Sequence, residues 1–172
     1  DGCVSVARRR TRPALCAGLA KTWLNSSSST RNTMGGCPFT RAVAMAPLPG
    51  FVMYGMSAAL QGLRFVGVPL TADFELDEAA MLAAIEGHRP ALLYLAYPNN
   101  PTGNLWDDGV IDRCIEAVGR VKGLVVMDEA YQPFAARDSL ERMRRHPHVL
   151  LMRTMSKFGL AGVRIGYLMG RQ

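Results

Sequence analysis

The chain has 172 residues, 49 % of them apolar and 20 % charged, which suits one packed domain and argues against wholesale disorder. Residues 1–46 hold seven basic side chains against Asp1, while residues 47–172 hold thirteen of each sign, so the formal charge of +6 belongs wholly to the N-terminal part. The remainder carries no net field for a nucleic-acid backbone, and no run of eighteen apolar residues offers a membrane span.

Residues 1–45 read as an atypical basic leader outside the fold that follows. They contain an Arg run at 8–12, a Ser/Thr tract over Asn25–Thr30, and no periodicity lasting more than about a turn. This Arg- and Ser-rich, acid-poor composition is that of a transit peptide, or of a stretch foreign to the domain downstream. The Arg run is also the one feature suited to a nucleic-acid binder, a reading the neutral body opposes. Cys3, Cys16 and Cys37 lie in this leader and only Cys114 lies beyond it. One cysteine makes no disulfide framework, and no Cys/His cluster has metal-ligand spacing, so a reducing, cytoplasmic setting and no metal are expected.

From Ala42 the texture changes. Ala42–Ala46 is a short apolar run ending in a Pro/Gly loop, and Val52–Leu63 has helical spacing. Phe65–Val68 is a compact strand candidate. Leu76–Glu86 sets Leu76, Ala80, Ala83 and Ala84 on one predicted helical face, with Asp77 as N-cap. Ala91–Ala96 predicts a buried strand. Asp107–Val118 predicts a helix with Val110, Ile111, Cys114, Ile115 and Val118 inward. Leu124–Met127 predicts a strand ending at Asp128, Ser139–Arg145 a short basic helix, and Val149–Met152 and Arg164–Leu168 two further strands.

Short apolar strands alternating with helices indicate an α/β fold, a three-layer α/β/α arrangement. Continuous rather than alternating hydrophobicity means both sheet faces are covered, as in mainly parallel sheets. Ligands of such sheets sit beyond the carboxyl ends of the strands. The polar punctuation falls there: Asn99 and Asn100 after one strand, Asp128 after the next, and Ser156 and Lys157 after a third.

Each group has an ordinary reading. Tyr97–Gly103 is turn-forming for backbone reasons, Asp128 is a possible cap, Tyr131 a half-buried aromatic and Lys157 a solvated lysine. Lys157, however, is flanked by Met155, Phe158, Gly159, Leu160, Ala161 and Gly162, and desolvation among them would favour a neutral, nucleophilic amine. Taken together the groups suit one chemistry. A lysine condenses with an aldehyde to a Schiff base, and a carboxylate keeps a pyridine nitrogen protonated so that the ring accepts electrons. A tyrosine hydroxyl and an asparagine amide donate to a phenolate oxygen. Thr154, Ser156 and Arg164 offer two hydroxyls and a guanidinium to a phosphate. These are the requirements for pyridoxal 5'-phosphate.

The motifs PNNPTG (98–103), DEAY (128–131) and RTMSKFGLAGVRIGY (153–167) resemble those of the fold-type I, class I/II aminotransferases. Within that family, residues 47–77 most resemble the histidinol-phosphate aminotransferases. The resemblance covers residues 46–172 and implies part of a pyridoxal-phosphate-binding large domain. It implies Lys157 as the lysine that binds the cofactor aldehyde and moves the substrate's α-proton, and Asp128 as the partner of the ring nitrogen. Tyr131 and Asn100 would be the donors to the phenolic oxygen, and Thr154, Ser156 and Arg164 the phosphate ligands. Phe51 falls where the family stacks an aromatic ring on the cofactor, or is a plain core phenylalanine. The implied reaction moves an amino group from a small-molecule donor, L-histidinol phosphate, to 2-oxoglutarate in a homodimeric enzyme, with no nucleic-acid or membrane partner. Aromatic-amino-acid aminotransferases and threonine-phosphate decarboxylases are the nearest alternatives, and an inactive fragment is another.

Three departures stand out. Lys157 and Arg164 are seven positions apart, one fewer than in many relatives. Residues 1–46 contain nothing like the family's Gly/Ser/Ala-Asp-Glu phosphate loop. The chain stops at Gln172, ahead of the smaller domain the family carries. The expectation is an incomplete large domain with weak turnover or none.

Overall fold

The computed structural model describes residues 3–8 and 42–171. Its strands are β1 (Cys3–Arg8), β2 (Val43–Leu48), β3 (Arg64–Pro69), β4 (Leu92–Ala96), β5 (Leu124–Asp128), β6 (Val149–Thr154) and β7 (Ile165–Gly170). The helices between them are α1 (Met53–Leu60), α2 (Glu78–His88), α3 (Asp108–Arg120) and α4 (Leu140–Arg145). Among the described residues no helix is long and apolar enough to cross a membrane.

The strands form one sheet in the order β1-β7-β6-β5-β4-β2-β3. Pairing is parallel from β3 through β6, and β7 runs antiparallel to both β6 and β1. The mainly parallel α/β class read from the sequence is therefore the one observed. Two elements differ from the reading. Ala42–Ala46, noted only as an apolar run, is β2. Cys3–Arg8, inside the segment read as lying outside the fold, is an edge strand whose partner is Ile165–Gly170. An edge strand pairs through its backbone, so composition gives little warning of it.

Helix boundaries follow local chemistry. The Asp77 carboxylate accepts from Ala80 N at 2.9 Å and the Asp107 carboxylate from Val110 N at 2.9 Å, each satisfying an orphan N–H of a first turn. The inward face of α3 is the one expected, with Ile111, Cys114, Ile115 and Val118 fully buried. The face expected of α2 holds in part: Leu76 is buried and Ala80 and Ala84 pack against the core. Met81 and Ile85, one turn apart, are the buried pair, and Ala83 is exposed. The longer side chains reach the sheet, and that contact sets the rotation of the helix.

Strand alternation divides the core in two. Met45, Leu93, Leu95, Val125, Met127 and Leu151 face α2 and α3, with Leu140 and Met143 of α4 packed beside them. Ala46, Leu92, Tyr94, Ala96, Leu124 and Val126 face the other way, where Tyr54 of α1 covers them. The sheet thus lies between two helical layers.

Chain order and strand order diverge at one place. From β2 the chain moves outward to β3, then returns past β2 to β4 and continues through β5 and β6. β2 pairs with β3 over six residues but with β4 only at Ala44–Leu92 and Met45–Leu93. The two strands part toward their carboxyl ends, and a crevice opens at the switch point of the sheet, where ligands of such folds bind.

Candidate functional site

A pocket open to solvent occupies this crevice, lined by Phe51, Tyr54, Ala96, Pro98, Asn100, Asp128, Ala130, Tyr131 and Lys157. Four strand ends supply it: Phe51 and Tyr54 follow β2, Pro98 and Asn100 follow β4, Asp128 ends β5 with Tyr131 just beyond, and Lys157 follows β6. Residues drawn from more than a hundred positions of chain meet here because each strand of a parallel sheet delivers its C-terminal residue to the same rim.

Asp128 forms the floor. It is only 6 % exposed, and both carboxylate oxygens are held: Oδ2 accepts from the Tyr54 hydroxyl at 2.7 Å and Oδ1 from Ala130 N at 3.0 Å. Burial raises its pKa above the ordinary carboxylate range. The Tyr54 and Ala130 hydrogen bonds act against that rise, and the charge of Glu129 adds to it. Glu129 is itself buried, on the opposite side of the strand end. It accepts from Arg153 Nε at 2.8 Å and from Ser139 N, which ties the turn after β5 to β6.

Lys157 closes the cavity on one side, in a 3-10 turn spanning Met155–Lys157, with Nζ 4.6 Å from the centroid of the Tyr131 ring. The desolvation expected from its apolar neighbours is not observed. Lys157 is exposed, and so are Phe158 and Leu160, which turn to solvent instead of covering the amine. Phe51 stands at the rim, 39 % exposed, with its ring edge-on to Tyr54 at 5.5 Å. It is a cavity wall and not a core phenylalanine.

Two of the three residues expected to hold a phosphate have side chains engaged with backbone. Thr154 Oγ1 donates to Ile165 O at 3.2 Å and accepts from Ser156 N at 3.2 Å. Arg164 has a left-handed backbone (φ 55°), and its guanidinium donates to Ala161 O at 3.2 Å. None of the three lines the cavity. Asn99, the neighbour of Asn100, is the more buried of the pair and acts within the protein, donating to Pro49 O and to Thr102 Oγ1.

Sequence reasoning missed Tyr54. Its signal was faint: a tyrosine at helical spacing in an apolar stretch reads as core, and core it is, 5 % exposed and stacked on Tyr94 at 4.4 Å. Only its hydroxyl, turned toward Asp128, belongs to the site.

An amine, a buried acid, a phenol, a carboxamide and an exposed aromatic face share one cavity. That donor set fits the ring end of pyridoxal 5'-phosphate, an aromatic aldehyde with a basic ring nitrogen and a phenolic oxygen. The phosphate end is not assembled around a free donor set.

Comparison with known proteins agrees with this chemistry. The family model described as Aminotransferase class I and II matches residues 30–172. The chain is 73 % identical over 134 residues to a histidinol-phosphate aminotransferase of Methylibium petroleiphilum, covering 78 % of this chain and 36 % of that protein. It is 69 % identical over 138 residues to the protein of the same name from an Acidovorax species, covering 78 % and 38 %. The chain spans a little over a third of the length of the curated relatives it matches. Among solved structures, the histidinol-phosphate aminotransferase of Sinorhizobium meliloti in complex with pyridoxal-5'-phosphate superposes with a TM-score of 0.73 at 29 % identity, over 98 % of this chain and 42 % of that one. The enzyme of that name from Clostridium acetobutylicum, at 20 % identity and a TM-score of 0.71 over 77 % of this chain and 40 % of that one, shares the fold.

Proposed function

Since the chain belongs to the class I and II aminotransferases, we propose that it carries the pyridoxal-phosphate site of a transaminase acting on L-histidinol phosphate and 2-oxoglutarate. The products are imidazole acetol phosphate and glutamate, a step of histidine biosynthesis. The observation that carries the chemistry is the convergence of Lys157, Asp128, Tyr131 and Asn100 on one cavity at the switch point of the sheet. The substrate rests on the relatives at 69–73 % identity that bear that enzyme's name.

Bound pyridoxal 5'-phosphate supplies an aldehyde and an electron-accepting ring. Lys157 Nζ would hold the aldehyde carbon and serve as the base for the substrate's α-proton. Asp128, buried at the cavity, would balance a protonated ring nitrogen, and low dielectric makes a single opposite charge count for most there. The Tyr131 hydroxyl and the Asn100 amide would donate to the phenolic oxygen, and Phe51 would offer the ring an aromatic face. Thr154, Ser156 and Arg164 would be the phosphate ligands, Thr154 and Arg164 by exchanging their backbone partners for the anion. Residues 46–172 form part of the cofactor-binding large domain in this reading, and the working assembly is a cytoplasmic homodimer.

The test is borohydride reduction of the protein incubated with pyridoxal 5'-phosphate, followed by peptide mapping. A phosphopyridoxyl group on Lys157 is expected, and a tag on another lysine, or none, overturns the reading. Conversion of the cofactor's absorbance by L-histidinol phosphate, and not by aromatic amino acids, checks the substrate.

A further inference from the structure

Tyr54 and Asp128 are 74 positions apart in sequence and 2.7 Å apart in space. The tyrosine ring is clamped: it stacks on Tyr94 with an interplanar angle of 5° and meets Phe51 edge-on. It sits in the first turn of α1 with its hydroxyl donating to Asp128. We propose that Tyr54 is a positioning residue for Asp128, holding the carboxylate charged and in a fixed plane so that it receives a protonated heterocyclic nitrogen without reorganising. This deepens the cofactor reading above and rests on it for the identity of the nitrogen.

The argument is one of accounting for lone pairs and charge. A carboxylate this deeply buried pays heavily for ionising, and its options are to take up a proton or to be held by donors. Ala130 N–H supplies one donor and the Tyr54 hydroxyl the other, one on each oxygen. Against them stand burial and the neighbouring Glu129 charge. Lys157 and Tyr131 face Asp128 across the cavity, and Tyr94 lies behind the Tyr54 ring. Had Tyr54 served only to fill space over the sheet, a phenylalanine would do equally well.

Tyr54→Phe therefore separates the two roles, because it keeps the stack and removes only the donor. With ¹³C-labelled aspartate in the cofactor-free 172-residue protein, the Asp128 midpoint is expected to rise in Y54F by about one pH unit, roughly a tenfold gain in proton affinity. The acid limb of the pH profile for pyridoxal 5'-phosphate binding moves up with it. A folded Y54F protein whose Asp128 titrates as in the parent overturns the proposal. Should Y54F fail to fold, the parent protein still decides. A slowly exchanging Tyr54 hydroxyl proton whose resonance shifts in D128N supports the pairing, and its absence refutes it. A parent that does not bind pyridoxal 5'-phosphate while Asp128 still responds to Y54F removes the functional reading and leaves this one standing.

Discussion

The Asn99 carboxamide bridges the loops after β2 and β4 where the ladder between those strands has ended, donating to the Pro49 carbonyl at 3.3 Å and to Thr102 Oγ1 at 2.7 Å. Thr102 in turn donates to Asn104, whose amide donates to Phe74 O at 3.0 Å. A side chain thus links the two loops beyond the last backbone pairs of that ladder.

Asn99→Ala removes both donated bonds from a site that is 3 % exposed. Lost hydrogen bonds of this kind cost about 1–3 kcal/mol when an acceptor is left buried. The urea midpoint should fall accordingly, and pyridoxal 5'-phosphate affinity should fall with it as the crevice loosens. A variant matching the parent in both would show that the bridge is idle.

Glu129 is fully buried and shares Arg153 with the more exposed Asp138. Glu129→Ala leaves Arg153 with Asp138 alone and Ser139 N without its acceptor. Breaking a buried pair from one side costs about 3–5 kcal/mol. Chemical denaturation of E129A against R153M tests the asymmetry, because the methionine removes the charge that alanine at 129 leaves without its buried partner.

Asp128 has a folded pKa raised by burial. Between the ordinary aspartate value and the raised one the folded state binds more protons than the unfolded chain, so stability falls as pH rises through that window. Asp128→Asn removes this dependence. In the cofactor-free protein D128N should be more stable than the parent at pH 7, with the advantage shrinking as the pH approaches about 4. Thermal unfolding across that range checks the sign, and a constant difference would contradict it.

Cys114 lies against the sheet on α3 with no exposed surface, and burial pushes its thiol up to about 12. Thiolate is the reactive form, so alkylation of the native protein at pH 8 should leave the Cys114 peptide unmodified until denaturant is added. Cys114→Ser should cost about 1–3 kcal/mol, because a hydroxyl replaces a sulfur in apolar surroundings. Labelling of Cys114 in the native state would refute both.

The elements themselves were legible. Apolar runs marked β3 to β7 within a residue or two, and Asp77 and Asp107 marked helix starts because capping is a contact between near neighbours. Asn100, Asp128, Tyr131 and Lys157 were legible as a group for a related reason: polar residues at the ends of apolar strands gather on one rim in any parallel sheet. Phe51 was legible only through resemblance. The inward face of α2 was legible only in part, because Ala83 satisfies the helical period as well as Met81 and Ile85 do, and only packing against the sheet chooses between them. The exposed setting of Lys157 was misread because flanking apolar residues bury an amine only if they fold over it.

Chain chemistry alone settled β3 to β7, the four helices and which polar residues stand at strand ends, since those depend on propensities and contacts a few residues long. Tertiary structure decided the rest. Placing β2 beside β4 opened the crevice and set Tyr54 against Asp128, the turn before β7 directed Arg164 to a backbone carbonyl, and Cys3–Arg8 found its partner more than 150 positions away. Such pairings are chosen by how whole layers pack, and a local pattern carries no record of them.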